Sequence, residues 1–367
     1  TLGGCGPSWQ ATVVAPNGDD FAVDRQVLED LERFAEEGAE GVPLEQVLWT
    51  AGHQAVETVV VADEEGARHE FDWAEVALEA QWLPSGTILV AGEELDAVRV
   101  EVEPPALLAR VTANITDVAP TAAAGLGLDR LAASTGEPLP VTGGAVGVDH
   151  VLLLFLDGFG YVRYTEATEA GLIPNLAALG EPMVGLTVYP PCTSVGSAAL
   201  LTGAPPSVNG VDQRGIRTTE VETLFDAVAA AGLEGVAVEG DALAFNLRNA
   251  TLLLSGDRDG NGSTDDNVLA NALAVLEEGM PNLFYVHFHG IDDAGHTYGP
   301  GAPEEQAAIQ GVDAAVGQLL DAVPGNTLIV IFADHGMHQV EGQEKQGNHE
   351  HLIERDMFIP IIVVVRG

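Results

Sequence analysis

Lysine is almost absent from this chain: Lys345 is the only one in 367 residues, and 14 basic side chains face 56 acidic ones. The formal net charge of −42 excludes tight binding to a nucleic-acid duplex, because too few cations are available to displace its counterions. Long apolar runs are missing too. The longest, "HVLLLFLDG" and "FIPIIVVVRG", have the length of a strand and fall well short of a bilayer span. Cysteine is limited to Cys5 and Cys192, so a disulfide framework is not expected. What is present is a 46% hydrophobic composition, which is that of a globular chain with a sizeable core. The acidic excess has two readings: a high-salt proteome in which screening relieves self-repulsion, or an ordinary acidic proteome from a high-GC genome.

The chain starts at Thr1 with "TLGGCG". Leu-Gly-Gly-Cys resembles the end of a bacterial lipoprotein signal, with Cys5 as the lipidated residue. That resemblance implies an extracytoplasmic or cell-surface location; a cytoplasmic one stays open.

Texture divides the chain into three parts. Residues 1–118 are acidic with short elements and predict a small α/β accessory domain. "DRQVLEDLERFAEEG" has helical spacing, and "VETVVVADEEGARHEFDW" reads as two strands around a Glu-Glu-Gly turn. His53 and His69 are isolated, which suits structural roles. "GVPLEQVLWTAG" resembles a segment of the sulfite-oxidase-type molybdopterin domain, but no cysteine is placed to hold molybdenum. Residues 119–147, rich in Ala, Gly, Pro and Thr, predict a linker. Residues 148–367 alternate apolar strands with helices, which predicts an α/β fold with a mostly parallel sheet between helical layers.

Chemistry in such sheets gathers where strands end. Asp157 follows "VLLLFL", Asp292 and His296 follow "LFYVHFHGI", and Asp334-His335 follow "LIVIFA". His349 and His351 trail in "GNHEH", and seven of the ten histidines lie between 287 and 351. Acids and imidazoles concentrated at three strand ends point to metal, since burying them unpaired is costly. Mixed oxygen and nitrogen donors suit zinc, or manganese or iron. Six or seven of them fit two ions about 4 Å apart, which clamp the attacking and leaving oxygens of a phosphoryl transfer.

The segments "FLDGFG", "PPCTSVGSAALLTGAPPSVNGV", "DDAGHTYGP", "ADHGM" and "GNHEH", in that order, resemble the type I phosphodiesterase/nucleotide pyrophosphatase branch of the alkaline phosphatase superfamily. The resemblance covers residues 150–367. It implies one zinc on Asp157, Asp334, His335 and the oxygen of Thr193, and a second on Asp292, His296 and His349, with His351 competing for the last place. It also implies Thr193 as the nucleophile, ten residues before Gly203. The predicted helix start beside Thr193 agrees, because free backbone N–H groups there can hold a phosphoryl oxygen. Sulfatases of the superfamily need Cys-x-Pro-x-Arg, and Cys192 is followed by neither the Pro nor the Arg.

Where related phosphodiesterases carry a phosphate-binding Asn, this chain offers Gln213, Arg214 and Arg217. Gln213 and Arg214, with Ser194 beside the nucleophile, are the candidates for holding the substrate phosphate. A guanidinium grips phosphate bidentately and favours a monoester end over a diester. The implied activity is hydrolysis of a small phosphorylated substrate, as diester, pyrophosphate or monoester. The alternatives are a phosphonate hydrolase, a sulfatase, or a surface binding protein without activity. In "GDRDGNGSTDD", Asp257, Asp259, Asn261 and Asp265 take positions 1, 3, 5 and 9 of a calcium loop, but Val268 replaces the closing Glu. His287 and His289 on "YVHFHG" are either hydrogen-bond donors that orient ligands or lining of the pocket.

Overall fold

The computed structural model describes residues 9–35, 39–141, 147–340 and 344–367. Cys5 lies outside the described residues. The chain forms two compact units, one of residues 1–109 with 351–354 and one of 110–350 with 355–367. No described helix is long and apolar enough to cross a membrane.

The first unit is built mainly from strands. Thr58–Asp63 and Arg68–Asp72 pair antiparallel as expected, and the first of them also pairs with Glu93–Glu103. The expected amphipathic helix spans Arg25–Leu31, with the Asp24 side chain accepting from the Val27 N–H at its start. Val59, Val61, Trp73, Trp82, Ile88 and Val100 are buried in the core of the unit. His351 belongs here. Its Nδ1–H donates to Glu45 at 3.1 Å, and the next amide, of Leu352, donates to the same carboxylate.

The second unit carries an eight-stranded sheet. Its strands are β1 (Val111–Asn114), β2 (His150–Leu156), β3 (Met183–Leu186), β4 (Gly235–Glu239), β5 (Thr251–Leu254), β6 (Leu283–Phe288), β7 (Thr327–Phe332) and β8 (Phe358–Arg366). Their spatial order is β5-β4-β6-β2-β7-β8-β3-β1. All neighbours run parallel except β8, which is antiparallel to both β7 and β3. The mostly parallel α/β sheet is therefore as the sequence pattern predicted. β2, β6 and β7 are buried almost throughout, as expected of central strands covered on both faces.

Two boundaries differ from the expectation. The units divide at residues 109/110, not 118, because Val111–Asn114 joins the second sheet as an edge strand. Part of the expected linker is a buried helix, Val118–Gly125, whose Val118, Ala119 and Ala122 pack into the core. Its Ala-rich composition reads as loose sequence, but small side chains also allow a helix to approach a sheet closely.

Register brings the strand ends level. Leu156 pairs with Phe288 and Phe155 with Phe332, so the residues following β2, β6 and β7 emerge side by side at one edge. One of the few cations is used for packing nearby: Arg163 grips Glu305 through Nε at 2.6 Å and Nη2 at 2.5 Å, with both side chains buried.

Candidate metal centre

Asp157 leaves the end of β2 on a turn whose next residue, Gly158, has φ +70°. A Cβ on Gly158 would lie 2.8 Å from Asp292 Oδ1, so only glycine lets these two carboxylates approach. Asp292 sits in the first turn of helix Gly290–Tyr298, and His296 follows one turn later on the same face. Asp334 and His335 follow β7. Thr193 is the first residue of helix Thr193–Thr202, which Gly203 closes in the left-handed conformation at φ +66°. Cys192 occupies the cap position, so Thr193 is not the plain cap residue of its helix. Its hydroxyl instead lies 3.4 Å from His335 Nε2.

The histidines are oriented alike. His296 Nδ1–H donates to the Gly347 carbonyl at 2.8 Å, His349 Nδ1–H to Pro191 at 2.8 Å, and His335 Nδ1–H to Gly336 at 3.0 Å. Each ring therefore leaves its Nε2 unprotonated and able to act as a ligand. These nitrogens face carboxylates. His335 Nε2 is 3.5 Å from Asp157 Oδ1 and 3.4 Å from Asp334 Oδ2. His296 Nε2 is 3.3 Å from Asp292 Oδ2, and His349 Nε2 is 4.0 Å from Asp292 Oδ1.

The donor set fits a metal centre on one further observation. Six buried side-chain polar atoms lack a hydrogen-bond partner among the described residues, and three are Asp157 Oδ1, Asp292 Oδ1 and Asp334 Oδ2. Each such atom costs about 1–3 kcal/mol or more, against a total stability of about 5–15 kcal/mol. Three in one place are relieved by a bound cation or by protonation of the carboxyls. Donors from Asp157, Asp334 and His335 lie within 4.8 Å of one another, and so do donors from Asp292, His335 and His349.

The electrostatics show the same strain. Burial, with the Asp157 charge, pushes the Asp292 carboxyl up to about 7. Burial and the same neighbour push Asp334 well above the carboxylate range. Burial works against the Asp157 charge as well, but hydrogen bonds from His287 and His289 outweigh it and hold that carboxyl well below its usual value. His349 is driven well below the usual imidazole range by burial and then by His335 and His296, which keeps it neutral as a ligand must be.

The other candidates separate. His351, bound to Glu45 in the first unit, does not join this cluster. Burial pushes the Cys192 thiol up to about 11, so it is not a ready nucleophile. Ser194 is buried with its hydroxyl 3.8 Å from the Cys192 sulfur. Arg214 reaches the centre: its Nη2 is 3.3 Å from His349 Nε2 and its Nε donates to Glu350 at 2.5 Å. Gln213 is exposed, and Arg217 turns away to the Leu243 carbonyl. Of the expected calcium-loop residues, Asp257, Asp259 and Asn261 lie together, the Asn261 N–H donating to both carboxylates, and Asp265 is engaged elsewhere. Asp265 accepts the amides of His289 and Gly290, while Asp257 accepts those of Gly260, Asn261 and Gly262. Sequence reading missed Glu239. Its only signal was its place at the end of "GVAVE", one more carboxylate at a strand end.

Fold and site together define an α/β protein with a buried carboxylate–histidine centre at the C-terminal edge of its parallel strands. Residues 239–364 match the model of the type I phosphodiesterase / nucleotide pyrophosphatase family. The mouse GPI ethanolamine phosphate transferase 3 catalytic subunit is 31% identical over 75 residues, which cover 20% of this chain and 7% of that protein. Human ectonucleotide pyrophosphatase/phosphodiesterase family member 1 is 25% identical over 218 residues, covering 51% of this chain and 23% of that one. The chain thus spans under a quarter of either curated relative. Among solved structures, phosphonoacetate hydrolase from Sinorhizobium meliloti in complex with phosphonoacetate aligns with a TM-score of 0.43 and 22% identity, covering 53% of this chain and 58% of that one.

Proposed function

We propose that this chain hydrolyses phosphoric esters of small molecules, with Thr193 as the nucleophile. The observation that carries this reading is the set of three buried carboxylate oxygens without hydrogen-bond partners, on Asp157, Asp292 and Asp334, in the cluster that also receives the Thr193 hydroxyl. The family match over residues 239–364 supports it. Two divalent ions would be held there, one by Asp157, Asp334, His335 and Thr193, the other by Asp292 and His349 with His296, whose Nε2 lies 3.3 Å from Asp292. When bound, they supply Lewis acidity that lowers the pKa of the attacking hydroxyl and neutralises charge on the phosphoryl oxygens.

The chain's own residues do the rest. Thr193 Oγ1 forms the bond to phosphorus while the ester oxygen leaves, giving a phosphothreonine that water then cleaves. Backbone N–H groups at the start of helix Thr193–Thr202 that lack an intrahelical acceptor would hold a phosphoryl oxygen. Arg214 adds a guanidinium to the same group. The carbonyls of Gly347, Pro191 and Gly336 hold the three imidazoles in one tautomer.

The test is turnover of p-nitrophenyl phosphate, bis-p-nitrophenyl phosphate and a dinucleotide pyrophosphate by the zinc-loaded chain and by Thr193→Ala. A loss of at least about a thousandfold in kcat is expected for the variant, consistent with removal of a nucleophile. Full activity in Thr193→Ala removes the nucleophile assignment. No turnover of any ester by a chain holding its metals removes the function.

A further inference from the structure

Behind the centre lies a second convergence of donors, on strands β4 and β6. His287 Nε2 is 3.1 Å from Asp157 Oδ2, and His289 Nδ1 is 3.4 Å from the same oxygen. The three donor atoms of Asp157, His287 and His289 lie within 4.8 Å of one another. The opposite nitrogens of both rings point at one other carboxylate: His287 Nδ1 is 2.8 Å and His289 Nε2 3.1 Å from Glu239 Oε2. The two ring centroids are 3.7 Å apart, with their planes tilted by 35°.

We propose that Asp157, His287 and His289 bind a third divalent metal ion of the zinc type, with Glu239 accepting the remaining N–H of each histidine. Three features argue for it. First, the spacings on the Asp157 side suit an ion, that of His287 being also of hydrogen-bond length. Those to Glu239 are ordinary hydrogen bonds. Those to Asp157 bracket about 3.3 Å, the edge of a tetrahedron around zinc with ligands about 2.0 Å away. Second, a histidine that binds a metal commonly gives its other N–H to a carboxylate, and here one carboxylate serves both rings. Each ring turns one nitrogen to Glu239 and the other to the Asp157 side. With an ion, each ring needs one proton, and Glu239 takes it.

Third, the groups are built in place. His287 is fully buried against the Phe155 ring, at 3.7 Å and nearly parallel. The backbone amide of His289 is fixed by Asp265 at 2.9 Å. Gly240 leaves room for the His289 ring, since a Cβ there would lie 3.0 Å from Cδ2. The His289 side chain is 20% exposed, which gives an ion a way in, whereas those of Asp157 and His287 are 4% and 1% exposed. Asp157 would then hold ions through both oxygens, Oδ1 toward the catalytic pair and Oδ2 toward the third. The ion lies beyond the two of the proposed hydrolase and does not depend on any ester being the substrate.

The test is a metal count that does not read activity. The full chain is stripped with a chelator, reloaded with zinc, freed of excess by gel filtration and measured by inductively coupled plasma mass spectrometry. Three zinc ions per chain are expected, falling to two in His289→Ala and two in His287→Gln. His296→Ala/His349→Ala is expected to lose one ion and keep the His289-dependent one. Two or fewer ions in the unmodified chain overturn the third site, and so do three ions retained in a folded His289→Ala. A count of two leaves the two-metal hydrolase standing; a count of zero sinks both. If His289→Ala does not fold, His287→Gln and the unmodified count decide.

Discussion

Arg214 has two neighbours of different kinds, the Glu350 carboxylate at 2.5 Å and the His349 ring at 3.3 Å. Its side chain is 57% exposed, so the ion pair with Glu350 is worth little to stability. Its place beside His349 Nε2, a candidate metal ligand, gives it more to do in binding. A charge-assisted hydrogen bond to a phosphoryl oxygen is worth about 1.5–3 kcal/mol, or roughly 10–100-fold in kcat/KM. Arg214→Ala is therefore expected to lower kcat/KM for a monoester by that factor, with unchanged melting temperature. The loss for a diester is expected to be smaller, because a diester presents one negative charge fewer. Kinetics on p-nitrophenyl phosphate and bis-p-nitrophenyl phosphate check this; equal losses on both would remove Arg214 as the residue that distinguishes them. Gln213, adjacent in sequence, makes no such contact, and its substitution by Ala serves as the comparison.

The turn after β2 shows how an element sets the site. Gly158 has φ +70° and faces Asp292 Oδ1, so Gly158→Ala meets backbone strain and a clash together. Gly210 has a similar φ of +78° but open space around its Cα, so Gly210→Ala meets strain alone. Gly210→Ala is expected to cost about 1 kcal/mol and keep its metals. Gly158→Ala is expected to cost about 1–3 kcal/mol and also lose zinc, because Asp292 must move. Thermal melts with zinc counts separate the two, and normal zinc in Gly158→Ala would show that Asp292 is not held by this contact. Elements of this kind were legible in the sequence because each central strand is an apolar run that ends in a carboxylate. Asp157, Asp292 and Asp334 stand out for that reason, and a helix period relates His296 to Asp292. Glu239 was not legible, since its value comes from β4 lying beside β6, a neighbour 44 residues later in the chain. His351 competed with His349 for the opposite reason: two residues from it in sequence, it belongs to another unit. The Ala-rich stretch before β2 misled because composition says little about whether small residues pack or stay loose.

At the scale of the whole molecule, metal, proton and stability are linked. Asp292 in the fold is raised to about 7 and Asp334 well above the ordinary carboxylate value, burial being the first cause for both. Between the ordinary value and the raised one, the metal-free folded chain holds protons that the unfolded chain has released. Stability of the metal-free protein therefore falls as pH rises through that window. His287 and His289, raised by Asp157 and Glu239 against the effect of burial, act in the same direction. His349, held low by burial, opposes this only below the ordinary imidazole value. The surface carboxylates that make up the −42 charge are already ionised at pH 6.5, so self-repulsion hardly changes above it. The chelator-treated chain is expected to melt a few degrees higher at pH 6.5 than at pH 8.0, with Asp292 alone contributing about 1 kcal/mol. With zinc present the order reverses, since ions displace those protons and bind more tightly as pH rises. Scanning calorimetry at both pH values, with and without zinc, reads all four states. A metal-free chain that is more stable at pH 8.0 would mean that Asp292 and Asp334 do not carry the strain the geometry assigns to them.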